Sequence, residues 1–104
     1  MKKVYVIRYS YCIDGEESCG NFEFCYTDEK AAEKAMLQDI EETKKKWSGF
    51  GEKIGEKVDV KCEMEHGDNG LVDYCSIWIE KRGVNCDYWD RHHWWIDMIG
   101  IAED

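Results

Sequence analysis

No proline occurs in this chain of 104 residues. No linker, internal repeat or low-complexity tract interrupts it either, so nothing divides it into more than one domain. Long apolar runs are also missing. The start, Met1-Lys2-Lys3-Val4-Tyr5-Val6-Ile7-Arg8, meets an arginine well short of the roughly 7–15 apolar residues of a secretory signal. No run approaches the about 20 needed to span a bilayer, and a cytosolic protein is expected. Cysteine is plentiful, with six in all, but no C-x-x-C pair exists: the spacings are Cys12-x6-Cys19-x5-Cys25 and Cys62-x12-Cys75-x10-Cys86. Without a signal, these thiols are expected to stay reduced and most to be small buried hydrophobes. Catalytic and cofactor motifs are missing too. The glycine-rich stretch 48–55 has no GxxxxGK(S/T) pattern and no strand leading into a helix, which excludes a phosphate cradle.

Positive charge is the remaining shortage. Fourteen Lys and Arg face 23 Asp and Glu, for a net charge of −9 and a pI near 4.8. That balance argues against direct binding of DNA or RNA, whose affinity rests on neutralising phosphates, and against anionic membrane surfaces. A basic protein is the partner it favours. The charge is not evenly spread: residues 54–104 hold five basic and twelve acidic side chains, and four of the five tryptophans, Trp78, Trp89, Trp94 and Trp95. Aromatics mixed with one sign of charge suggest a contact surface more than a catalytic cleft. The bland alternative is that the charge only keeps a small protein soluble. With 43% hydrophobic residues, the chain is apolar enough to fold around a core.

Residues 3–13 alternate as a strand, with Tyr5, Ile7, Tyr9, Tyr11 and Ile13 on one face. Asp14-Gly15-Glu16-Glu17-Ser18 supplies turn chemistry, and Phe22, Phe24 and Tyr26 alternate again, so 3–13 and 20–27 read as an antiparallel hairpin. Thr27-Asp28-Glu29 opens a helix, with the Thr27 hydroxyl as the expected N-cap. Ala32, Ala35, Met36, Ile40, Thr43 and Trp47 form its apolar stripe, and Glu33, Lys34, Glu41, Glu42, Lys44 and Lys45 its solvated side. The spacing predicts a helix over 28–47 ending at a Gly49 cap, then a loop over 48–55.

Val58, Val60, Cys62 and Met64 alternate with charged residues, Gly67-Asp68-Asn69-Gly70 is a hairpin turn, and Cys75, Ile77 and Ile79 alternate beyond it. A four-residue loop would set His66 against Leu71, Cys62 against Cys75, Val60 against Ile77 and Val58 against Ile79. A directly cross-strand disulfide at Cys62–Cys75 is then conceivable, although two packed thiols are the expectation. Residues 83–93 read as a long connection and 94–102 as a last strand buried on both faces, a short helix over 87–96 being the alternative. The order β-β-α-β-β-β implies an α+β fold, one helix packed on one face of a mainly antiparallel sheet.

Lys3-Val4-Tyr5-Val6-Ile7, a second strand, Thr27-Asp28-Glu29-Lys30-Ala31-Ala32-Glu33 opening a helix, and a tail ending near Trp95-Ile96-Asp97-Met98-Ile99 together resemble small acidic proteins of phages and prophages in Gram-positive bacteria. The resemblance covers the first 47 residues best. Such proteins are largely of unknown function, so it implies a context and no catalytic residues. The six cysteines and the His-Trp cluster lie outside the pattern.

In the expected register Tyr74 lies across from Glu63, Ser76 from Lys61, Trp78 from Asp59 and Val72 from Glu65. With the helix on the Val60–Ile77 side, this outer face stays free. Asp59, Glu63, Glu65, Tyr74, Trp78 and Glu80 are therefore the candidate partner-binding residues, with the aromatics as anchors and the acids steering encounter. The alternatives are an ordinary amphipathic exterior, or cover by the last strand or another subunit. A sharper form is mimicry of nucleic acid, carboxylates standing in for phosphates against a nucleic-acid-binding protein.

The Cys/His-rich segment offers a metal-stabilised domain as the runner-up, through Cys86, His92 and His93, which are zinc-ligand types. Adjacent histidines on a strand point to opposite faces, however, and are better read as polar rim residues beside the tryptophans. A Cys86–histidine dyad lacks any accompanying signature, and pairings among 23 carboxylates are uninformative. No enzyme and no cofactor is expected. A homodimer burying the tryptophan-rich tail is the remaining alternative.

Overall fold

The two hairpins do not lie side by side, because the last strand inserts between them. The computed structural model describes residues 2–13, 16–53, 58–81 and 90–102, and of 49–53, 58–59 and 80–81 the backbone alone. The elements are β1 (Lys2–Ile13), β2 (Glu16–Tyr26), α1 (Glu29–Lys53), β3 (Val58–His66), β4 (Val72–Lys81) and β5 (Arg91–Ile101). They make one five-stranded sheet in the order β2-β1-β5-β4-β3, antiparallel at every step, with α1 packed on one side. This is the expected α+β layout.

The core forms where α1 crosses the sheet. Ala32, Met36 and Ile40 meet Ile7, Cys75, Ile77 and Trp94, all without exposed surface. The helical spacing of the first three and the strand parity of the others aim them into one layer. Asp28 is the N-cap, not Thr27: its Oδ1 accepts the Lys30 N–H at 3.3 Å and its carbonyl accepts the Ala32 N–H at 3.1 Å. The helix runs past the expected end at Trp47 to Lys53, so residues 48–53 are helical and not a loop. Residues 54–57 of the expected loop lie outside the described residues. A glycine inside a helix costs only about 1 kcal/mol relative to alanine, and with no proline Gly49 and Gly51 do not stop it.

Carboxylates on α1 tie it to the second hairpin and to the central strand. Glu33, expected to be solvated, accepts the Val72 N–H at 2.6 Å, and one turn earlier Glu29 accepts from Asn69 Nδ2 at 2.8 Å. Asp39 Oδ2 accepts the indole N–H of fully buried Trp94 at 2.8 Å. Lys44, also expected on the solvated side, is half-buried and pairs with Glu41 at 3.2 Å.

The β3–β4 register differs from the expectation by two residues. The Gly67 N–H bonds to the Leu71 carbonyl at 2.9 Å, so Leu71 belongs to the loop, and Asp73 is an extra residue between the pairs His66–Val72 and Glu65–Tyr74. Cys62 therefore faces Ile77, Val60 faces Ile79, Met64 faces Cys75 and Val58 faces Lys81. A shift of two keeps every side chain on its face, so the alternation is right and the partners are wrong. Gly70 takes φ +82 in this turn, where a side chain would be strained. At Gly20 a Cβ would lie 2.7 Å from Tyr9 Oη and 2.9 Å from its Cζ, so any side chain there would make the Tyr9 ring shift.

β5 begins at Arg91, three residues before the expected start, and takes both histidines into the sheet. It is not buried on both faces. β1 pairs with it from Cys12–Arg91 to Lys2–Ile101, whereas β4 reaches only Tyr74–Trp95. Past that point Met98, Ile99 and Ile101 are exposed. The cysteines also depart from expectation: among the described ones only Cys75 is buried, Cys12 is half-buried, Cys62 is exposed on the edge strand β3, and Cys19 and Cys25, paired with Ser10 and Val6, are exposed on the side away from the helix. Cys86 lies outside the described residues.

Replacing Asp39 by alanine strands the buried Trp94 N–H, and an unsatisfied buried donor costs about 1–3 kcal/mol. Urea denaturation is expected to show that loss for Asp39→Ala and a smaller one for Asp39→Asn, which keeps an acceptor. Equal stability of Asp39→Ala and wild type would show that the contact does not hold the helix in place.

Candidate functional site

Strand alternation that sends Ile7, Cys75, Ile77 and Trp94 under α1 sends their neighbours to the opposite side. Three cross-strand rows result: Cys12–Arg91–Trp78–Lys61, Ser10–His93–Ser76–Glu63, and Arg8–Trp95–Tyr74–Glu65. Among the described residues no element covers this side. A groove of about 380 Å³ runs between β3 and β5, lined by Glu63, Glu65, Tyr74, Ser76, Trp78, Arg91 and His93. Arg91 and His93 also line a second hollow of about 600 Å³ on the far side, with Ser10, Cys12, Glu17 and Cys19. They form the ridge between the two.

Four of the six candidate partner-binding residues, Glu63, Glu65, Tyr74 and Trp78, thus line one groove. Their pairing is corrected: Tyr74 opposes Glu65, Ser76 opposes Glu63, and Trp78 opposes Lys61. Val72 is buried and faces His66, so it leaves this surface. Asp59 and Glu80 face each other in the ladder, but their side chains lie outside the described residues. Arg91 and His93 were missed as groove residues because 83–93 read as connection. The alternation His93-Trp95-Asp97 carried back two residues to Arg91 was the available signal.

The groove is held by polar contacts as well as by the ladder. Tyr74 Oη and His93 Nδ1 are hydrogen-bonded at 2.6 Å. Burial, and after it the neighbouring Arg91 cation, hold the His93 pKa below its ordinary value, so this ring is neutral near pH 7. Further along, Arg8 Nε and Asp97 Oδ2 are an ion pair at 2.6 Å, a charge contact without hydrogen-bond alignment. The face is therefore of mixed sign. Glu63 and Glu65 are exposed acids at the β3 edge, and Arg91 and Lys61 are exposed cations beside them.

His92 points the other way. Its ring stacks on Trp94 with centroids 3.8 Å apart and 6° between planes, with Tyr11 at 5.5 Å and Tyr9 at 6.0 Å. It is a half-buried member of the helix-facing layer and not a rim residue. His92 and His93, on opposite faces, do not share one ion, and Cys86 lies outside the described residues. Among the described residues no three His, Cys, Asp or Glu side chains group as metal ligands. No helix among them is long and apolar enough to cross a membrane.

Comparison with family models, with curated proteins and with solved structures yields no match.

Burial pushes the His92 pKa down from 6.5 to about 4; the Asp39 charge opposes this and His93 adds to it. Between those values the unfolded chain takes up a proton that the folded chain excludes. The contribution of His92 to stability is therefore full above pH 6.5 and lost as pH falls toward about 4. Denaturant midpoints measured across that window are expected to fall with pH, and less steeply in His92→Phe, which keeps the stack and removes the titration. Identical slopes would show that another group governs this range.

Proposed function

We propose that this is a small non-enzymatic interaction protein of the cytosol that sets the open side of its sheet against a basic surface of a protein partner. The observation that carries the reading is the groove in which exposed Glu63 and Glu65 stand beside half-buried Tyr74 and Trp78. Rigid aromatics on strands can anchor a protein partner, and the carboxylates beside them would steer a basic one. Asp59 and Glu80, paired in the same ladder, belong to the same proposal. Arg91 on the opposite wall asks the partner for an acceptor among its cations. Imitation of nucleic acid against a nucleic-acid-binding protein is the finer form. Glu63 and Glu65 are two residues apart on β3, so about 6.8 Å, and both point outward as a row of phosphates would. The mixed charge narrows that imitation to the β3 edge. A phage or prophage setting rests on the resemblance of the first strand, helix start and tail alone.

The test compares tagged wild type, Glu63→Lys/Glu65→Lys, and Glu23→Lys/Glu42→Lys as bait in lysate of the source organism at low and high salt. Glu23 and Glu42 are exposed elsewhere, so the last variant carries the same charge change off the site. A basic protein retained at low salt by wild type and by the control, and lost by the Glu63/Glu65 pair about tenfold or more, is the expected result. Retention by the Glu63/Glu65 pair sinks the assignment, and equal loss in both variants reduces it to net charge.

A homodimer is the second reading, favoured by exposed Met98, Ile99 and Ile101, where β5 has β1 beside it and no β4. Trp94 is already buried within the chain, so the apolar end of the tail, and not Trp94, would meet a second copy. Sedimentation velocity over a wide concentration range separates the readings. A monomer throughout removes the dimer, whereas association abolished by Met98→Asp establishes it.

A further inference from the structure

Two cysteine sulfurs lie close together on the helix-facing side, away from the groove. Cys62 Sγ and Cys75 Sγ are 3.7 Å apart. Cys62 pairs with Ile77 and Cys75 with Met64, so the two cysteines are diagonal neighbours across β3 and β4. One is exposed and the other has no exposed surface. We infer that Cys62 and Cys75 are a redox-modifiable dithiol, closed to an internal disulfide by a hydroperoxide and reopened by a small thiol.

The asymmetry of the pair assigns the roles. Cys62 is open to the oxidant on an edge strand, with the Lys44 side chain interacting with its sulfur. Cys75 is shielded, and burial first and the neighbouring Cys62 second push its thiol up to about 12. It does not meet the oxidant itself and acts only once Cys62 has reacted. In the first step Cys62, as its thiolate, attacks the terminal peroxide oxygen, the O–O bond breaks, that OH goes to sulfur, and the departing hydroxide (alkoxide from an organic hydroperoxide) takes a proton. Cys62 is oxidised to the sulfenic acid and the peroxide is reduced. In the second, the Cys75 sulfur attacks the Cys62 sulfur, the S–O bond breaks, and the hydroxyl leaves with the Cys75 proton as water. Two equivalents of a small thiol reverse the result by exchange and leave as their own disulfide. Closure draws the sulfurs together to about 2.05 Å. β3 pairs on one side only, so it can move toward β4 without breaking a second ladder.

The experiment needs no partner and no knowledge of the function. Folded, reduced protein is treated with hydrogen peroxide, quenched with an alkylating agent and digested with trypsin. Cleavage after Lys61 and Lys81 leaves both cysteines in the single peptide 62–81. The expected product is that peptide without alkylation and lighter by the two thiol hydrogens, restored to a doubly alkylated form by dithiothreitol. A chain with Cys12, Cys19, Cys25 and Cys86 changed to serine is expected to behave the same. Cys62→Ser, a change at an exposed position, is expected to leave Cys75 reduced under the same peroxide. A doubly alkylated peptide after exposed Cys19 and Cys25 have been oxidised would overturn the inference. So would Cys62 carried to the sulfinic acid with Cys75 still free, or closure no more selective in the folded chain than in urea.

Discussion

An indole buried to the last ångström in the middle strand of a sheet still carries an N–H that needs an acceptor. For Trp94 the acceptor comes from the helix, through Asp39 at 2.8 Å. Trp94 is the largest fully buried side chain among the described residues. The bond therefore seats α1 over β5, with Met36 and Ile40 on either side of it in the core. Glu33 on Val72 N–H and Glu29 on Asn69 extend the same logic to the start of β4 and its turn. A charge-assisted bond to a buried or half-buried donor is worth more than its exposed equivalent. These acids are structural, and they remove part of the negative charge from any account of what the surface does. They hold the helix on the side to which the apolar faces direct it, and the other side is left open.

Much of this was legible in the alternation of residues. The strand parity of Tyr5, Ile7 and Tyr9, of Val60, Cys62 and Met64, and of Cys75, Ile77 and Ile79 identified the helix-facing side. It thereby placed Glu63, Glu65, Tyr74 and Trp78 together on the other. The stripe Ala32, Met36 and Ile40 located the helix. What pattern did not carry was adjacency. Parity has a period of two, so a ladder displaced by Leu71 and the extra Asp73 looks the same in sequence as an undisplaced one. The position of β5 between β1 and β4 is likewise a long-range pairing with no local mark, and Arg91 and His93 went unrecognised with it. Thr27, Asp28 and Glu29 made the helix start clear, while its end depended on a glycine cost too small to decide the matter.

The same argument revises the cysteines. Reading Cys as a small hydrophobe holds for Cys75, which lies under the helix, and fails for Cys19 and Cys25, which pair with Ser10 and Val6 on the open side, and for Cys62, which sits on a strand that turns out to be an edge. Edge position is a property of strand order and could not be read from residue type. It is also what makes the Cys62–Cys75 pair asymmetric, with one thiol at the rim and one beneath the helix.

The open face and the thiol pair share a wall. Glu63 follows Cys62 on β3, and Tyr74 and Ser76 flank Cys75 on β4, so each sulfur lies directly behind side chains of the groove. Because side chains alternate, a pull between the sulfurs on one side of the sheet is felt as a displacement of β3 against β4 on the other. The groove depends on that spacing: its acids stand on β3, and Tyr74, fixed to His93 at 2.6 Å, stands on β4. If the groove holds a partner, a change in the separation of these strands reaches it without any residue of the groove being altered. A two-stranded edge with the thiol pair on one side and the groove on the other is a short path for such coupling. It requires nothing beyond the stiffness of an antiparallel ladder.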